Sequence, residues 1–196
     1  LIGVPCHCGQ IIETNLEAEI DLSLQPHIYK EIIEGSFMSF NCPKCGNNIK
    51  TELTLHLYDK KNDIDLYFIP ELKRASYLSG NITVTAARLV AGYKELSEKM
   101  VIAGEKLDDR IIEIIKFQLL EKSEKKNIQI FLNHVDKDAL IFYIHGLKPD
   151  QLGVSKIPRR VYDQINCRLD ELLNDDNIKL FTTPPYVSVN RIYLED

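Results

Sequence analysis

The sequence contains no tryptophan and only two methionines, and no uncharged apolar run comes near the roughly 18 residues a membrane span needs. No charged-then-apolar stretch opens it, so a soluble chain is expected. Three familiar chemistries lack their signatures. There is no glycine-rich phosphate loop, no His-Glu-x-x-His and no Gly-x-Ser-x-Gly, which removes the usual routes to nucleotide hydrolysis, zinc proteolysis and serine acyl transfer. Positive charge is also short: 24 Lys and Arg stand against 29 Asp and Glu, a net charge of −5 with a pI of about 5.6. A global field able to hold a polyanion is therefore excluded, and nucleic acid would need a local patch. With 44% hydrophobic and 27% charged residues over 196 positions and no internal repeat, the composition is that of an ordered globular protein.

Of five cysteines, four form two close pairs, Cys6/Cys8 and Cys42/Cys45, and Cys167 stands alone near the far end. A secreted disulfide framework spreads an even set through the chain; an odd count in tight pairs fits metal ligation in a reducing compartment, here the cytoplasm. A tetrahedral zinc site needs four soft ligands at one point, and two short turns with two thiolates each build it with the least chain. Gly9 follows Cys8 and Gly46 follows Cys45, where glycine lets the backbone turn beneath the metal. Cys42-Pro43-Lys44-Cys45-Gly46 is the stronger signal, because Cys6-His7-Cys8 bites a metal at a different angle. Two other readings stay open: buried cysteines without a ligand, and a redox dithiol at Cys42/Cys45, although no thioredoxin-like βαβ context surrounds that pair.

Alternation from Gln10 to Leu24, with Leu16, Ala18, Ile20, Leu22 and Leu24 on one face, predicts a half-buried strand. Pro26, the Ile28/Ile32/Ile33 stripe and Gly35 predict a short helix. A strand over Phe37–Asn41 leads into the second cysteine pair. Ile49 to Leu57 alternates again, and Ile64, Leu66 and Phe68 return after the Asp59–Asp63 turn as a hairpin. Periodicity lapses over 70–80, which predicts a boundary between a zinc-ribbon-like unit over 1–72 and an α+β region over 81–196, separate or packed with the first as one core. In that region Ala86, Leu89, Val90, Tyr93, Leu96 and Met100 recur at helical spacing. A second helix starts near Asp108 and Asp109 and buries Ile111, Ile112, Ile115, Leu119 and Leu120. Ile128–Asn133 and Ala139–His145 form a hairpin around Asp136-Lys137-Asp138. A third helix follows Pro158 with Val161, Ile165, Leu169 and Leu172, and Lys179–Phe181 is a closing strand. The fold class is α+β: a zinc-ribbon-like antiparallel β unit with a short helical insertion, then a helix-hairpin-helix region.

Pro5-Cys6-His7-Cys8-Gly9, the strand and helix ending in Glu34-Gly35, Phe40-Asn41-Cys42-Pro43-Lys44-Cys45-Gly46 and the hairpin carrying Tyr58-Asp59 together resemble the CpXC proteins of bacteria and archaea, to about residue 125. That family is named for paired Cys-Pro-x-Cys elements, is functionally uncharacterised and is taken to bind zinc. The resemblance implies a zinc-stabilised fold and transfers no catalytic residues. This chain departs at the first pair, where one residue is missing and Pro5 precedes the cysteine, so His7 and His56 are substitute ligands to test. About 33 residues separate Cys8 from Cys42, against roughly 15–20 in a compact ribbon, so the metal closes a long loop. With four thiolates the shell is full and the zinc is structural, supplying on the order of 10 kcal/mol of folding free energy.

The remaining candidates have plainer explanations. Cys167 has Asp163, Gln164, Asp170 and Glu171 as helical neighbours, the opposite of what activates a thiol. Lys156, Arg159 and Arg160 share the start of the third helix, where the dipole disfavours cations, and form a basic contact patch that Lys122, Lys125 and Lys126 could extend past Glu121 and Glu124. His27, His56, His134 and His145 are scattered, and Asp108-Asp109-Arg110 reads as a helix start. Asn81-Ile82-Thr83 matches a glycosylation acceptor that a reducing compartment would not use. Phe131, Phe142, Tyr143 and Tyr186 are contact anchors unless the core takes them. The expectation is a non-enzymatic zinc protein that binds another protein or forms part of a larger assembly. The alternative is a transcription- or translation-associated zinc ribbon touching nucleic acid through Lys156, Arg159 and Arg160.

Overall fold

In the computed structural model, which describes residues 2–123 and 127–193, the chain begins with a small antiparallel hairpin of β1 (Ile2–Pro5) and β2 (Ile11–Thr14). Next comes β3 (Glu19–Asp21). The single strand expected from Gln10 to Leu24 is thus two strands serving two sheets, and the burial shows why: Ile20 and Leu22 are buried while Ile11 and Leu24 face solvent. Pro26 opens α1 (Pro26–Glu34), and Gly35 closes it in the left-handed conformation at φ 76°. Ile28 and Ile32 are its buried stripe. A second small hairpin follows, β4 (Ser39–Asn41) with β5 (Asn48–Lys50).

The expected hairpin at the Asp59–Asp63 turn is β6 (Leu55–Asp59) with β7 (Ile64–Ile69), and alternate residues from Leu55 to Phe68 turn to the buried side. The stretch over 70–80, read as a boundary, carries a 3₁₀ turn and α2 (Arg74–Leu78). Buried Arg74 there donates to Glu71 at 2.5 and 2.6 Å, to Glu95 at 2.6 Å and to the Ala91 carbonyl at 3.1 Å. The helix expected from Ala86 starts later. Residues 88–91 are β8 (Arg88–Ala91), and only Gly92, at φ 78°, turns the chain into α3 (Gly92–Gly104). Leu89, Val90 and Ala91 are buried in succession, a run that fits a buried strand as well as a helix face. The sheet order is β3-β6-β7-β8, with β3 parallel to β6. Two compact units result: residues 1–86 with 90–97, and residues 87–89 with the chain from Glu98 onward.

In the second unit Asp108 caps α4 (Asp109–Glu121) by accepting the Arg110 N–H at 2.9 Å, as the paired acids suggested. The antiparallel sheet that follows contains β9 (Gln129–Asp136), β10 (Ala139–Lys148) and β11 (Gln151–Pro158) in the order β11-β10-β9. The first two are the expected hairpin, and β11 is an unanticipated third strand whose Gly153, Ser155 and Lys156 dilute its apolar alternation. The third helix is two pieces, α5 (Arg159–Asn166) and α6 (Leu169–Leu172), which still bury Ile165 and Leu169. The expected closing strand at Lys179–Phe181 lies instead in α7 (Asp176–Thr182). Asp175 accepts the Asn177 N–H at 2.8 Å as an N-cap there, and helical spacing buries Phe181. A short α8 (Asn190–Tyr193) ends the described chain.

The core of this unit joins Ile111, Ile112 and Ile115 of α4 to Leu140 and Phe142 of β10, with Phe181. Phe131, Phe142 and Tyr186 are therefore buried and cannot serve as contact anchors; Tyr143 alone of those four is partly exposed. The class is α+β.

Candidate metal centre

Each cysteine pair occupies the turn of a small hairpin, and the two turns are built alike. In the first, the Cys6 N–H donates to the Gln10 carbonyl at 2.8 Å and the Gly9 N–H to the Cys6 carbonyl at 2.9 Å. In the second, the Cys42 N–H donates to the Asn47 carbonyl at 2.8 Å and the Gly46 N–H to the Cys42 carbonyl at 2.9 Å. Gly9 and Gly46 have φ of 83° and 73°, the left-handed region that an L side chain resists. The missing residue in Cys6-His7-Cys8 shortens the turn without changing how it closes.

The four sulfurs meet. Cys6 Sγ lies 3.6 Å from Cys45 Sγ and Cys8 Sγ 3.6 Å from Cys42 Sγ, so each turn reaches across to the other. All four ligand atoms fall within 4.8 Å of one another. Four zinc–sulfur bonds of about 2.3 Å in a tetrahedron set sulfur–sulfur edges of about 3.8 Å, and the observed cluster brackets that value. All four cysteines are free thiols; Cys6 and Cys42 are buried, Cys8 is half-buried and Cys45 exposed. The donor set is soft and suits zinc, copper(I) or iron better than magnesium or calcium.

Electrostatics separate the four thiols. Cys42 is pulled down to about 6, chiefly because the Cys45 backbone N–H, aided by that of Lys44, donates to its sulfur. At Cys8 the Gln10 N–H acts in the same direction, but desolvation and the three neighbouring sulfurs outweigh it and push the thiol up to about 12. Cys45 is raised as well, its Asn47 N–H outweighed by desolvation and by Cys6 and Cys42. Crowded sulfurs cannot all ionise together without a cation among them, and a bound metal would release that restraint.

Among the described residues these cysteines are the one grouping of His, Cys, Asp or Glu side chains close enough to share a metal ion. His7 is exposed between its two cysteines and stands outside the cluster. His56 is engaged elsewhere, its Nε2 lying 2.6 Å from Asp65 Oδ1 across the β6–β7 pair. The three cations of the expected patch are spread from a strand to a helix, Lys156 on β11 and Arg159 and Arg160 opening α5. Lys156 lies 3.5 Å from Asp136 and Arg159 lies 3.8 Å from Asp163. Lys125, Lys126 and Glu124 lie outside the described residues. Cys167 is exposed just past α5.

One set of charged residues was not anticipated. Lys116, fully buried in the second unit, donates to Glu98 at 2.8 Å and to Glu113 at 2.9 Å. Glu98 also accepts the Leu132 N–H at 2.7 Å, and Glu113 the Val189 N–H at 2.8 Å. Beside this triad Asp109 takes Lys99 at 2.9 Å and Arg88 at 2.8 Å. The available signal was Glu113 and Lys116, spaced three apart inside the apolar face of α4.

A family model described as "CpXC protein" matches residues 4–116, a span that holds all four cysteines and reaches into α4. An "Uncharacterized protein" of Treponema pallidum (strain Nichols) is 23% identical over 189 residues, covering 84% of this chain and 87% of that relative. No solved structure matches. No helix among the described residues is long and apolar enough to cross a membrane. With more than half of its length matched, and with the paired cysteine turns inside the match, the chain belongs to the CpXC family.

Proposed function

We propose that this protein holds one zinc ion on Cys6, Cys8, Cys42 and Cys45, and that it serves as a non-catalytic, protein-binding component of a larger assembly in the cytoplasm. The observation that carries the reading is the convergence of four sulfurs, contributed by two hairpin turns, within 4.8 Å. Two cysteine turns facing each other form the working part of a zinc ribbon. Four thiolates complete a tetrahedral shell, so water or substrate finds no coordination site and the ion acts as a cross-link. Lys156 and Arg159 stand near carboxylates, which favours a protein partner over nucleic acid.

The test is elemental analysis of protein purified without chelator or affinity metal, paired with cobalt substitution. One zinc per chain is expected, with the intense thiolate-to-cobalt absorption of a four-sulfur tetrahedral site. Metal-free protein that is stably folded would overturn the metal reading. For the assembly, the protein in native extract should sediment faster than the purified chain at the same concentration; equal sedimentation would overturn that part.

A further inference from the structure

We propose that the four-cysteine centre is also a redox switch, which a peroxide converts into two disulfides, Cys6 with Cys45 and Cys8 with Cys42. These bonds join the two hairpin turns covalently and end metal binding. The inference rests on the metal reading above and adds regulation to the same site. Its first support is the pattern of access. Each facing pair has one sulfur toward solvent and one inside: exposed Cys45 lies 3.6 Å from buried Cys6, and half-buried Cys8 lies 3.6 Å from buried Cys42. An accessible thiolate with a second cysteine poised beside it is the arrangement of a redox-sensing cysteine and its resolving partner. Cys167 is the contrast, exposed but the sole cysteine of the second unit.

The second support is that the facing sulfurs come from different turns. Pairing within the turns would have to close a ring from Cys6 to Cys8 over His7 alone, in a turn already tied by the Gly9 N–H to the Cys6 carbonyl at 2.9 Å. Pairing across the turns only shortens a contact already made, from 3.6 Å to the roughly 2 Å of a disulfide. The geometry therefore selects the crossed connectivity.

The Cys45 thiolate attacks one oxygen of hydrogen peroxide; the O–O bond breaks, hydroxide leaves and the sulfur becomes a sulfenic acid. The Cys6 thiolate then attacks that sulfur, forming the S–S bond and expelling a second hydroxide. Cys8 and Cys42 repeat the sequence with another peroxide. In all, the four thiolates give up four electrons, which two peroxides accept to leave four hydroxides. Sulfurs tied in disulfides no longer ligate a metal, because the thiolate is the ligand. The exposed tip also loses the net negative charge of four thiolates around a divalent ion. Since the new bonds span the same two turns, the hairpins stay joined, which separates oxidation from chelation.

The test titrates the full-length Cys167→Ser protein, which lacks the fifth thiol, with hydrogen peroxide while a metallochromic dye follows zinc release. Two peroxides per chain should release the one zinc and consume all four thiols; a dithiol reductant with added zinc should restore both. Trypsin cuts after Lys30, Lys44 and Lys50, so peptides 1–30, 31–44 and 45–50 of the oxidised protein should run as one cross-linked species. Fragmentation between residues 6 and 8 should place Cys6 with Cys45. Peptide 1–30 free of the other two would mean pairing within the turns and would overturn the proposal. Hydrogen exchange over residues 2–50 should stay as slow after oxidation as in the zinc-bound protein, and fast exchange there would overturn it as well. Zinc retained against excess peroxide overturns this inference alone, whereas purified protein with no zinc overturns the metal reading beneath it.

Discussion

In the first unit the hairpins that carry the cysteines have strands of three or four residues, and the groups gathered at their tips are sulfurs. In the second unit strands run to ten residues, and the groups gathered inside are a lysine between two glutamates, surrounded by isoleucine, leucine and phenylalanine. Short hairpins bury little apolar surface of their own, and the proposed metal would add a cross-link between their tips. A continuous apolar core can accommodate buried ions, provided every charge is paired and every backbone group near it is satisfied. The same chain thus gathers soft ligands at the tips of short hairpins and places ion pairs where apolar packing surrounds them, Arg74 with Glu95 in the first unit and Lys116 with Glu98 and Glu113 in the second.

Removing the metal should break the comparison most sharply. Structural zinc binding contributes on the order of 10 kcal/mol, so a strong chelator should unfold the two cysteine hairpins. Hydrogen exchange is expected to rise over residues 2–50 while α4 and β10 keep their protection. Uniform loss of protection throughout both units would show that they do not differ in this way. The second prediction concerns the ionic cluster. Lys116→Met leaves Glu98 and Glu113 facing each other in the core and should cost the second unit about 3–5 kcal/mol, read as a lower urea midpoint. Zinc content should stay unchanged.

A smaller effect follows from pH. Burial foremost, with Glu113 adding to it, holds the Glu98 carboxyl at about 7 against the opposing pull of Lys116, compared with an ordinary value of 4.5. Between those values the folded protein keeps a proton that the unfolded chain has lost, so the second unit should lose stability as pH rises from 4.5 to about 7 and then level off. Asp109 behaves oppositely. Burial works against its charge, but Lys99 and Arg88 prevail and hold it well below its ordinary 3.8, so its contribution is present above that pH and lost as pH falls. Thermal unfolding across this range should show the first slope vanish in Glu98→Gln and the acid loss shrink in Asp109→Asn. The mildest test is Gly9→Ala or Gly46→Ala. Nothing crowds an added Cβ at either site, so the positive φ alone should cost about 1 kcal/mol of metal-bound stability.

Legibility in the sequence followed the range of the forces involved. The turns at Cys6–Gly9 and Cys42–Gly46, the α1 stop at Gly35 and the α4 cap at Asp108 are decided by neighbours a few residues away, and each was readable from composition and spacing. Gln10 to Leu24 alternates at a strand's period throughout, yet only pairing with β1 and with β6 tells where one strand ends and the next begins. Lys179–Phe181 is apolar enough for a strand until Asp175 caps a helix over it. The strand β11 could not be read because its outer face is exposed and its alternation weak.

By itself, the order of residues determined that this is an α+β chain with two soft-ligand turns, each closed by a glycine at positive φ, since turn chemistry and thiol softness are local properties. It also determined that no global positive field surrounds the protein. Only the tertiary structure decided that Cys8 faces Cys42 and Cys6 faces Cys45, that Lys116 is buried between Glu98 and Glu113, and that Glu98 also takes the Leu132 N–H of β9. Those outcomes depend on elements brought together from distant parts of the chain, where packing sets the partner and local preference is silent.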